Sequence, residues 1–445
     1  MGVPTRRTAL AGVLALPWAA RAQTRAPLRI GVLTTLSGPA ADGAGAGSVL
    51  AARMAIEAQG LPVEVLVADM GEQPDVGAAR GRAWLDRDGI HAIVDVPNSA
   101  TALAVAAIVR ERNRVALFSG PGTTALTTTA CSPNHLQWTY DTAALAAGTA
   151  RAVLDEGGRS WFFLTADYAF GHALQRDVTA VVQAAGGTVL GSAAFPGDMT
   201  DFSALLLQAQ ASGAQVVGLA CTGAPFQTLV KQAAEFGLTR PAGGGSQRLA
   251  ALLCLLTNVG AIGLPDAQGL LVTEPFYWDM DSGTRAFAAA FVPRNRGIPP
   301  TMVHAGVFSA VSHLLRAAAA GADPADGAAT VAAMRRLPAW DPLFGHSELR
   351  GDGGVSHPMH LFQVKAPGES RGAWDFYRPL RTIPAEEAFT GRTGQCPAAP
   401  SPSGRGRGRS RAYPSLALAS CFATRAASSP AASALRAATC SAWCR

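Results

Sequence analysis

The stretch Leu28-Arg29-Ile30-Gly31-Val32-Leu33-Thr34 is a short apolar run, and the polar loop after it contains Ser37, Gly38 and Pro39. Similar apolar runs recur along the chain and alternate with stretches of helical periodicity. Strands separated by single helices pair in parallel, because the crossover returns the chain to the same end of the sheet. The pattern therefore predicts an α/β fold.

The alternation of strand and helix occurs twice, which predicts two parallel sheets. The first set of predicted strands covers residues 28–34, 63–68, 91–96 and 115–119. The second set covers residues 161–165, 188–195 and 215–220. A body of about 370 residues exceeds what one hydrophobic core usually spans, so we predict two α/β lobes.

The segments beyond residue 269 are too few for a third lobe and are predicted to complete the first two. They are a strand at 270–273, helices at 282–291, 303–320 and 327–336, and strand-like runs at 359–364 and 375–377. We assign residues 23–142 and 277–345 to lobe I, and residues 143–276 and 346–396 to lobe II. The chain then crosses between the lobes more than once.

The first 22 residues have the three parts of an export signal. Arg6 and Arg7 form a basic start, residues 9–19 are apolar, and Ala20-Arg21-Ala22 is a typical cleavage site. The apolar part is shorter than the ~20 residues that a membrane span needs. The arginine pair is also typical of twin-arginine export signals, so either export route is open. These features predict a periplasmic protein.

The formal net charge of +6 is concentrated at the two ends of the chain. Three arginines lie in residues 1–22 and seven in residues 397–445, which leaves a net charge of −4 for residues 23–396. Residues 23–396 lack the excess of positive charge that binds the phosphates of nucleic acids, so we expect no nucleic-acid partner. Residues 397–445 have no periodic apolar face and are predicted to be a disordered basic tail. That tail either binds anionic polymers or is a non-native extension, and its composition favours the extension.

Seven cysteines in an exported chain permit disulfides, because an oxidising compartment allows them to persist. Cys131 and Cys396 lie in polar loops beside prolines and are the predicted disulfide pair. Cys221 and Cys254 fall in apolar runs, so we predict that they are buried thiols that pack as small hydrophobic residues.

The glycine-rich segment Gly43-Ala44-Gly45-Ala46-Gly47 raises the alternative of a dinucleotide-binding enzyme. A Rossmann fingerprint needs the strand to run directly into G-x-G-x-x-G, whereas here about eight residues intervene and the spacing is G-x-G-x-G. The pair His357 and His360 has H-x-x-H spacing but no nearby cysteine or acidic cluster. We therefore predict no enzymatic activity and no cofactor, with a Rossmann-type oxidoreductase as the weaker alternative.

The opening stretch, residues 28–39, resembles the start of periplasmic leucine/isoleucine/valine-binding proteins, the type I solute-binding proteins of branched-chain amino acid ABC transporters. The resemblance covers roughly residues 28–396 and is carried further by residues 47–55, 95–99, 119–127, 165–171, 231–238 and 357–365. It implies two Rossmann-like lobes joined by a three-crossover hinge. The two lobes close like a Venus flytrap on a small organic ligand. It also implies an extracytoplasmic receptor that delivers this ligand to a membrane permease, and we expect the receptor to be a monomer. A ligand-sensing receptor domain of the same fold is a second alternative.

The resemblance also places a ligand site in the cleft between the lobes, at the carboxyl ends of the strands. In lobe I, the family holds the ligand carboxylate with amides and hydroxyls at positions that match Asn98, Ser99, Gly122, Thr123 and Thr124. In lobe II, an aromatic wall matches Tyr168 and Phe170. Helix N-terminal amides and hydroxyls can stabilise an anion without an arginine.

One position departs from the amino-acid binders of this family. Their acid that receives the ligand's α-ammonium should follow the strand near residues 252–256, but this chain has Leu256-Thr257-Asn258-Val259 there. Asn258 is thus the candidate ligand contact in that loop. A buried ammonium without a countercharge costs several kcal/mol. An aromatic or other organic acid without an amine therefore fits at least as well as a branched-chain amino acid.

Overall fold

The computed structural model describes residues 27–38, 41–71, 73–238, 247–338, 340–389 and Cys396. The predicted export signal, residues 1–22, and the predicted basic tail, residues 397–445, lie outside these described residues. Within the described ranges, no helix combines the length and apolar character needed to cross a membrane.

Lobe I is built around a five-stranded parallel sheet with the strand order β2-β1-β3-β4-β5. Its central strands are almost wholly buried, as expected when helices cover both faces of a parallel sheet. Its elements are β1 (Leu28–Thr34), α1 (Gly45–Gln59), β2 (Val63–Asp69), α2 (Pro74–Asp86), β3 (Ala92–Asp95), α3 (Ser99–Glu111), β4 (Val115–Phe118) and β5 (His135–Gln137).

Lobe II contains a four-stranded parallel sheet with the strand order β7-β6-β8-β9. The segment that leads into it is a helix with a π-helical turn at Ala146–Ala150 in its middle. The elements are α4 (Thr142–Leu145), α5 (Arg151–Asp155), β6 (Ser160–Ala166), α6 (Ala169–Ala184), β7 (Thr188–Phe195), α7 (Ser203–Ala211), β8 (Val216–Ala220), α8 (Gly223–Glu235), β9 (Arg248–Ala251), α9 (Leu256–Ile262), α10 (Leu264–Ala267) and β10 (Leu271–Glu274).

The last part of the described chain returns to both lobes. A three-stranded antiparallel sheet, in the order β10-β15-β16, extends lobe II, whereas α12 packs on α1 in lobe I. The elements are α11 (Ser282–Phe291), α12 (Met302–Ala319), α13 (Gly327–Arg336), β11 (Trp340–Asp341), β12 (Gly345–His346), β13 (Glu348–Leu349), β14 (Val355–Ser356), β15 (Met359–Val364), β16 (Tyr377–Ile383) and α14 (Ala385–Ala388). The two-lobed α/β fold is thus confirmed, while the residue boundaries assigned to each lobe stay a prediction.

The glycine-rich segment Gly43–Gly47, which includes the first residues of α1, serves helix packing. A Cβ atom on Gly47 would lie 2.3 Å from Nε2 of His304, so only glycine lets α12 approach α1 this closely. The same His304 nitrogen lies 2.8 Å from the carbonyl oxygen of Ala44. The space beside the glycine-rich segment is therefore occupied by the His304 side chain of the protein itself.

Two of the crossovers between the lobes touch each other. The hydroxyls of Thr149, in the π-helical turn, and Thr273, in β10, are 2.8 Å apart. A Cβ on Gly148 would collide with the Thr273 side chain at 2.3 Å. One hydrophobic core runs through this region, from Leu117 in lobe I to Phe163 in lobe II. The hinge is therefore a packed element.

The predicted disulfide is confirmed, because Cys131 and Cys396 are bonded with their Cα atoms 5.8 Å apart. Cys221 and Cys254 are free and buried, as predicted. The His357 ring is also buried and stacks on Phe344 with the ring centroids 4.9 Å apart. In the part of the chain that the structure describes, no group of three His, Cys, Asp or Glu residues is placed to hold a metal ion.

Candidate functional site

The carboxyl ends of the lobe I strands bury a row of hydroxyl groups that lack partners. The hydroxyls of Thr35, Ser99, Ser119 and Thr139 follow β1, β3, β4 and β5 respectively, and none has a hydrogen-bond partner among the described residues. Each of these residues is 1% exposed or less. Buried polar groups are nearly always hydrogen-bonded in native proteins. This row, which we call the hydroxyl edge, is therefore where a polar group from outside the chain would be stabilised.

The turn that starts at the end of β3 is strained. Asp95 and Val96 have φ angles of 79° and 55°, a left-handed conformation that is rare for any residue other than glycine and rarer for a β-branched one. Strain of this kind persists only where the surroundings fix it, and it is concentrated at functional sites. Asp95 is fully buried, and its Oδ2 accepts a hydrogen bond from Thr34 at 2.7 Å. Burial raises the pKa of Asp95 to about 6, against the lowering effect of the Thr34 and Ser48 hydroxyls.

Asn98 and Ser99 follow this turn and begin helix α3, but their side chains differ in availability. Asn98 Oδ1 accepts a hydrogen bond from the Thr101 amide at 3.0 Å and so caps the helix. The Ser99 hydroxyl belongs to the hydroxyl edge and is without a partner in the described chain. Of these two predicted ligand contacts, Ser99 offers a free side-chain donor, whereas the side-chain oxygen of Asn98 is already used.

The loop with Gly122, Thr123 and Thr124 is where lobe I meets the predicted aromatic wall. A Cβ on Gly122 would lie 2.7 Å from the ring of Phe170 and 2.9 Å from that of Tyr140. Phe170 is 4% exposed. A glycine is thus required for the two lobes to approach this closely. The hydroxyl oxygen of Thr123 accepts a hydrogen bond from the Ala125 amide at 3.3 Å and caps the short 3₁₀ turn that follows.

Thr124 forms a latch between the lobes. Its hydroxyl donates to Asp177 Oδ2 of α6 at 3.0 Å and accepts from Arg176 at 2.9 Å. Thr142 donates to the same Asp177 oxygen at 2.5 Å. The predicted carboxylate contact Thr124 therefore has its hydroxyl engaged by lobe II, and we call Thr124, Thr142, Arg176 and Asp177 the interlobe latch.

The remaining predicted contacts lie in lobe II. The rings of Tyr168 and Phe170 are stacked with centroids 6.3 Å apart, and Tyr168 is half-buried. Asn258 is buried, and its Oδ1 accepts a hydrogen bond from the Leu255 amide at 2.9 Å, which caps α9. The Asn258 side chain thus hydrogen-bonds to the backbone at the start of its own helix. The role of Asn258 in ligand binding stays a prediction.

Sequence reasoning missed a buried acid at the carboxyl end of β10. Glu274 is 1% exposed and its Oε1 accepts a hydrogen bond from the Tyr377 hydroxyl at 3.0 Å. Burial raises the pKa of Glu274 to about 8, with the Tyr377 hydrogen bond acting in the opposite direction. A signal was present, because an acid ends an otherwise apolar strand directly before Pro275. The hydroxyl groups that donate to Asp177 could not be read from the sequence, since Thr142 and Thr124 lie 35 and 53 residues away.

Known proteins resemble the chain over most of its length. A family model described as periplasmic binding protein matches residues 27–372. A periplasmic binding protein from Burkholderia mallei is 38% identical, with a TM-score of 0.80, and the match covers 84% of this chain and 99% of that one. A branched-chain amino acid ABC transporter periplasmic ligand-binding protein from Burkholderia xenovorans is 35% identical, with a TM-score of 0.74, over 83% and 99% of the chains.

A more distant structure shares only the fold. It is an ABC transporter solute-binding protein from R. palustris in complex with benzoate, which is 18% identical with a TM-score of 0.72 over 81% and 97% of the two chains. Among curated proteins, no sequence match was found.

Proposed function

The chain belongs to the periplasmic binding protein family and is a solute-binding receptor of the ABC transporter type, and we propose that its ligand is a small carboxylate-bearing organic molecule held between the lobes. The Burkholderia xenovorans relative is named for branched-chain amino acids, whereas the more distant R. palustris protein holds benzoate. Both ligands carry a carboxylate. We therefore take the carboxylate as the feature that this site recognises.

The observation that carries this proposal is the hydroxyl edge of lobe I. Buried hydroxyls that lack partners are costly in an empty site and become hydrogen-bond donors to an anion when a ligand enters. Ser99 also lies in the first turn of α3, where backbone amides and the helix dipole favour negative charge. Phe170 and Tyr168 would cover the apolar part of the ligand from lobe II.

The wider role of the protein follows from this binding site. We propose that the receptor works in the periplasm as a monomer, delivers its ligand to the permease of an ABC transporter, and catalyses no reaction. The export route is either the general one or the twin-arginine one. The proposed contacts are Ser99, with Asn98, Gly122, Thr123 and Thr124 around the carboxylate, Tyr168 and Phe170 as the wall, and Asn258 at the far side.

A thermal-shift screen of the full-length protein tests the ligand class. A ligand that binds only the folded protein raises its melting temperature. We expect shifts with aliphatic or aromatic carboxylates, including amino acids, and none with the matching amides or alcohols. Shifts with amides or alcohols equal to those with acids would show that the carboxylate is not the recognised feature.

Calorimetry on Ser99→Ala then tests the hydroxyl edge. Losing a hydrogen bond to a charged group should weaken binding by about 1.5–3 kcal/mol. The matched control is Ser192→Ala, since Ser192 is exposed on β7, far from the strand ends that carry the site. Equal affinities for the two variants would remove the hydroxyl edge from the ligand site.

A further inference from the structure

We infer that Asp95 couples ligand binding to the uptake of a proton: its carboxyl is ionised in the empty protein and protonated when a carboxylate is bound at the lobe I edge. The affinity of the receptor for its ligand then depends on pH. This inference rests on the proposed function, because it concerns the same edge of lobe I. Asp95 acts in it as a positioning residue beneath the ligand and not as a ligand contact.

Asp95 lies at the centre of the lobe I edge. It is the last residue of β3, whose neighbours in the sheet are β1 and β4. Its Oδ2 accepts a hydrogen bond from Thr34, the last residue of β1, at 2.7 Å. Its Oδ1 lies 3.1 Å from the position of a Cβ on Gly120, just after β4. The carboxyl thus touches the segment that leads to Gly122, and its own strand leads to Ser99.

One oxygen of this carboxyl is unused. Asp95 is 0% exposed, and its Oδ1 has no hydrogen-bond partner among the described residues. The amide of Ser119 donates to the carbonyl oxygen of Asp95 at 3.3 Å, and the Ser119 hydroxyl is likewise buried without a partner. Buried polar atoms are nearly always hydrogen-bonded in native proteins. Oδ1 is therefore the atom that can take a proton without breaking an existing hydrogen bond.

No described cation neutralises the Asp95 carboxyl. Burial raises its pKa to about 6, while the hydroxyls of Thr34 and Ser48 and the amide of Gly120 lower it. The Ser48 hydroxyl has this effect although it forms no hydrogen bond by distance and angle. No charged side chain contributes to the pKa of Asp95. Near pH 7 the carboxyl is thus mostly ionised, but it is held only by neutral groups.

The titratable groups on the elements around Asp95 do not change their charge near pH 7. Burial raises the pKa of Tyr140, after β5, and the carboxyls of Asp95 and Glu274 raise it further. Burial lowers the pKa of His304, at the start of α12, to about 4. Asp141 accepts a hydrogen bond from the Ala144 amide at 2.8 Å. The other charged residues begin β1 or lie in later turns of α1, α3 and α12, and they are Arg29, Arg53, Glu57, Arg110, Glu111 and Arg316.

A bound carboxylate shifts the balance at Asp95 in one direction. A second negative charge at the same edge and the loss of water from a closed cleft both disfavour the ionised carboxyl, so the pKa of Asp95 rises on binding. Oδ1 takes one proton from solvent, and the ligand keeps its own charge. The complex therefore binds more protons than the empty protein between the two pKa values of Asp95. The affinity is then highest below about pH 6 and falls as pH rises through this window.

Calorimetry of the full-length protein measures this coupling. The ligand is the carboxylate that gives the largest thermal shift, and its carboxyl stays ionised from pH 6 to pH 8. We expect the dissociation constant of wild type to rise by about tenfold between these two pH values. Titration at pH 7 in two buffers with different heats of ionisation should show an uptake of about half to one proton.

The variant Asp95→Asn should lose both effects. Its amide is neutral at every pH, as the protonated acid is, and asparagine tolerates the left-handed conformation of this position. It should bind the ligand equally well at pH 6 and pH 8, and at pH 8 about fivefold more tightly than wild type. Asp341→Asn is the matched control, because burial also raises the pKa of Asp341, whose Oδ1 accepts from the Leu343 amide at 2.7 Å. This control should keep the pH dependence of wild type.

The possible failures are distinguishable. A constant dissociation constant of wild type from pH 6 to pH 8, with no proton taken up, would overturn the inference and leave the proposed function standing. Weaker binding of Asp95→Asn than of wild type at pH 8 would reduce Asp95 to a structural role. A pH dependence that survives in Asp95→Asn and disappears in Glu274→Gln would assign the proton to the other buried acid. Absence of binding by every carboxylate would overturn the proposed function as well.

Discussion

The two strand edges that face each other across the cleft bury different chemistry. The lobe I edge presents neutral hydroxyls and helix amides, of which Ser99 and Ser119 are examples, and the lobe II edge presents the ring of Phe170 and the acid Glu274. An anion is stabilised by the first set, whereas the second set offers an apolar ring and an acid that burial keeps protonated near pH 7. The difference between the edges is the reason why we propose that the carboxylate of the ligand lies toward lobe I.

The lobes also differ in how their cysteines are used, and removing the disulfide should have the largest effect on stability. Cys131 and Cys396 are 265 residues apart, so the double variant Cys131→Ala/Cys396→Ala should lose up to about 5 kcal/mol of unfolding free energy in the chain-entropy model. Cys254→Ala, which removes a buried thiol of lobe II, should cost about 1 kcal/mol. Urea unfolding without reductant measures the unfolding free energy of both variants. Equal losses of unfolding free energy would contradict the prediction that the Cys131–Cys396 disulfide is the main stabilising link.

The acid of lobe II should make stability depend on pH. Glu274 has a pKa of about 8 in the folded protein against 4.5 as the reference, so the folded state binds more protons between these values. The unfolding free energy should therefore fall as pH rises from about 4.5 to about 8, by about 5 kcal/mol at most.

Glu274→Gln removes this dependence, so the variant should gain stability relative to wild type between pH 5 and pH 8. Buried His304 and His313 affect both proteins equally, because their pKa values are lowered to about 4 by burial in each. Urea titrations at the two pH values give the difference. Parallel pH profiles for the two proteins would mean that Glu274 ionises in the empty site.

The aromatic side of the comparison should dominate ligand affinity. Phe170→Ala removes a ring that is buried against Gly122, and we expect the affinity to fall by about a hundredfold. Phe236→Ala is the matched control, since Phe236 is a half-buried phenylalanine of lobe II just past the end of α8. Calorimetry below the melting temperature of each variant measures the effect. If both variants bound equally, the wall would lie elsewhere.

The interlobe latch should have the smallest effect when its acid is removed, because Asp177 is not one of the proposed ligand contacts and its hydrogen bonds join the lobes. Asp177→Ala removes the acceptor of the Thr124 and Thr142 hydroxyls, and it should shift the empty protein toward open forms. We expect an affinity loss of about threefold to tenfold and a larger radius of gyration without ligand. Small-angle scattering and calorimetry test this, with exposed Asp198→Ala as control. An unchanged radius would show that the latch does not hold the lobes.

Much of the fold could be predicted from the sequence, because strands buried on both faces are visible as apolar runs. β16 was placed at residues 375–377 but runs over Tyr377–Ile383, since its middle residues are exposed and give no apolar pattern. β5 was missed because it has three residues within a polar loop. The helical segment between β5 and β6 is interrupted by a π-helical turn, which no local propensity indicates.

The candidate site was harder to predict than the fold. Strand ends could be located from the sequence, and Ser99, Gly122 and Phe170 follow β3, β4 and β6 respectively, while their contact with a ligand stays a prediction. The use of Thr124 in the latch depends on α6 of the other lobe, and the hydrogen bond of buried Glu274 depends on Tyr377 in β16. Contacts of this kind are made by segments that are far apart in the sequence, so the local sequence does not predict them.

The bond between Cys131 and Cys396 orders events in the making of the protein. Its second cysteine comes 265 residues after the first, so the loop that it closes contains the whole parallel sheet of lobe II. A growing chain has a complete lobe I sheet long before it can form this link. The disulfide can therefore form only after residue 396 has been synthesised and has come into contact with the loop that contains Cys131.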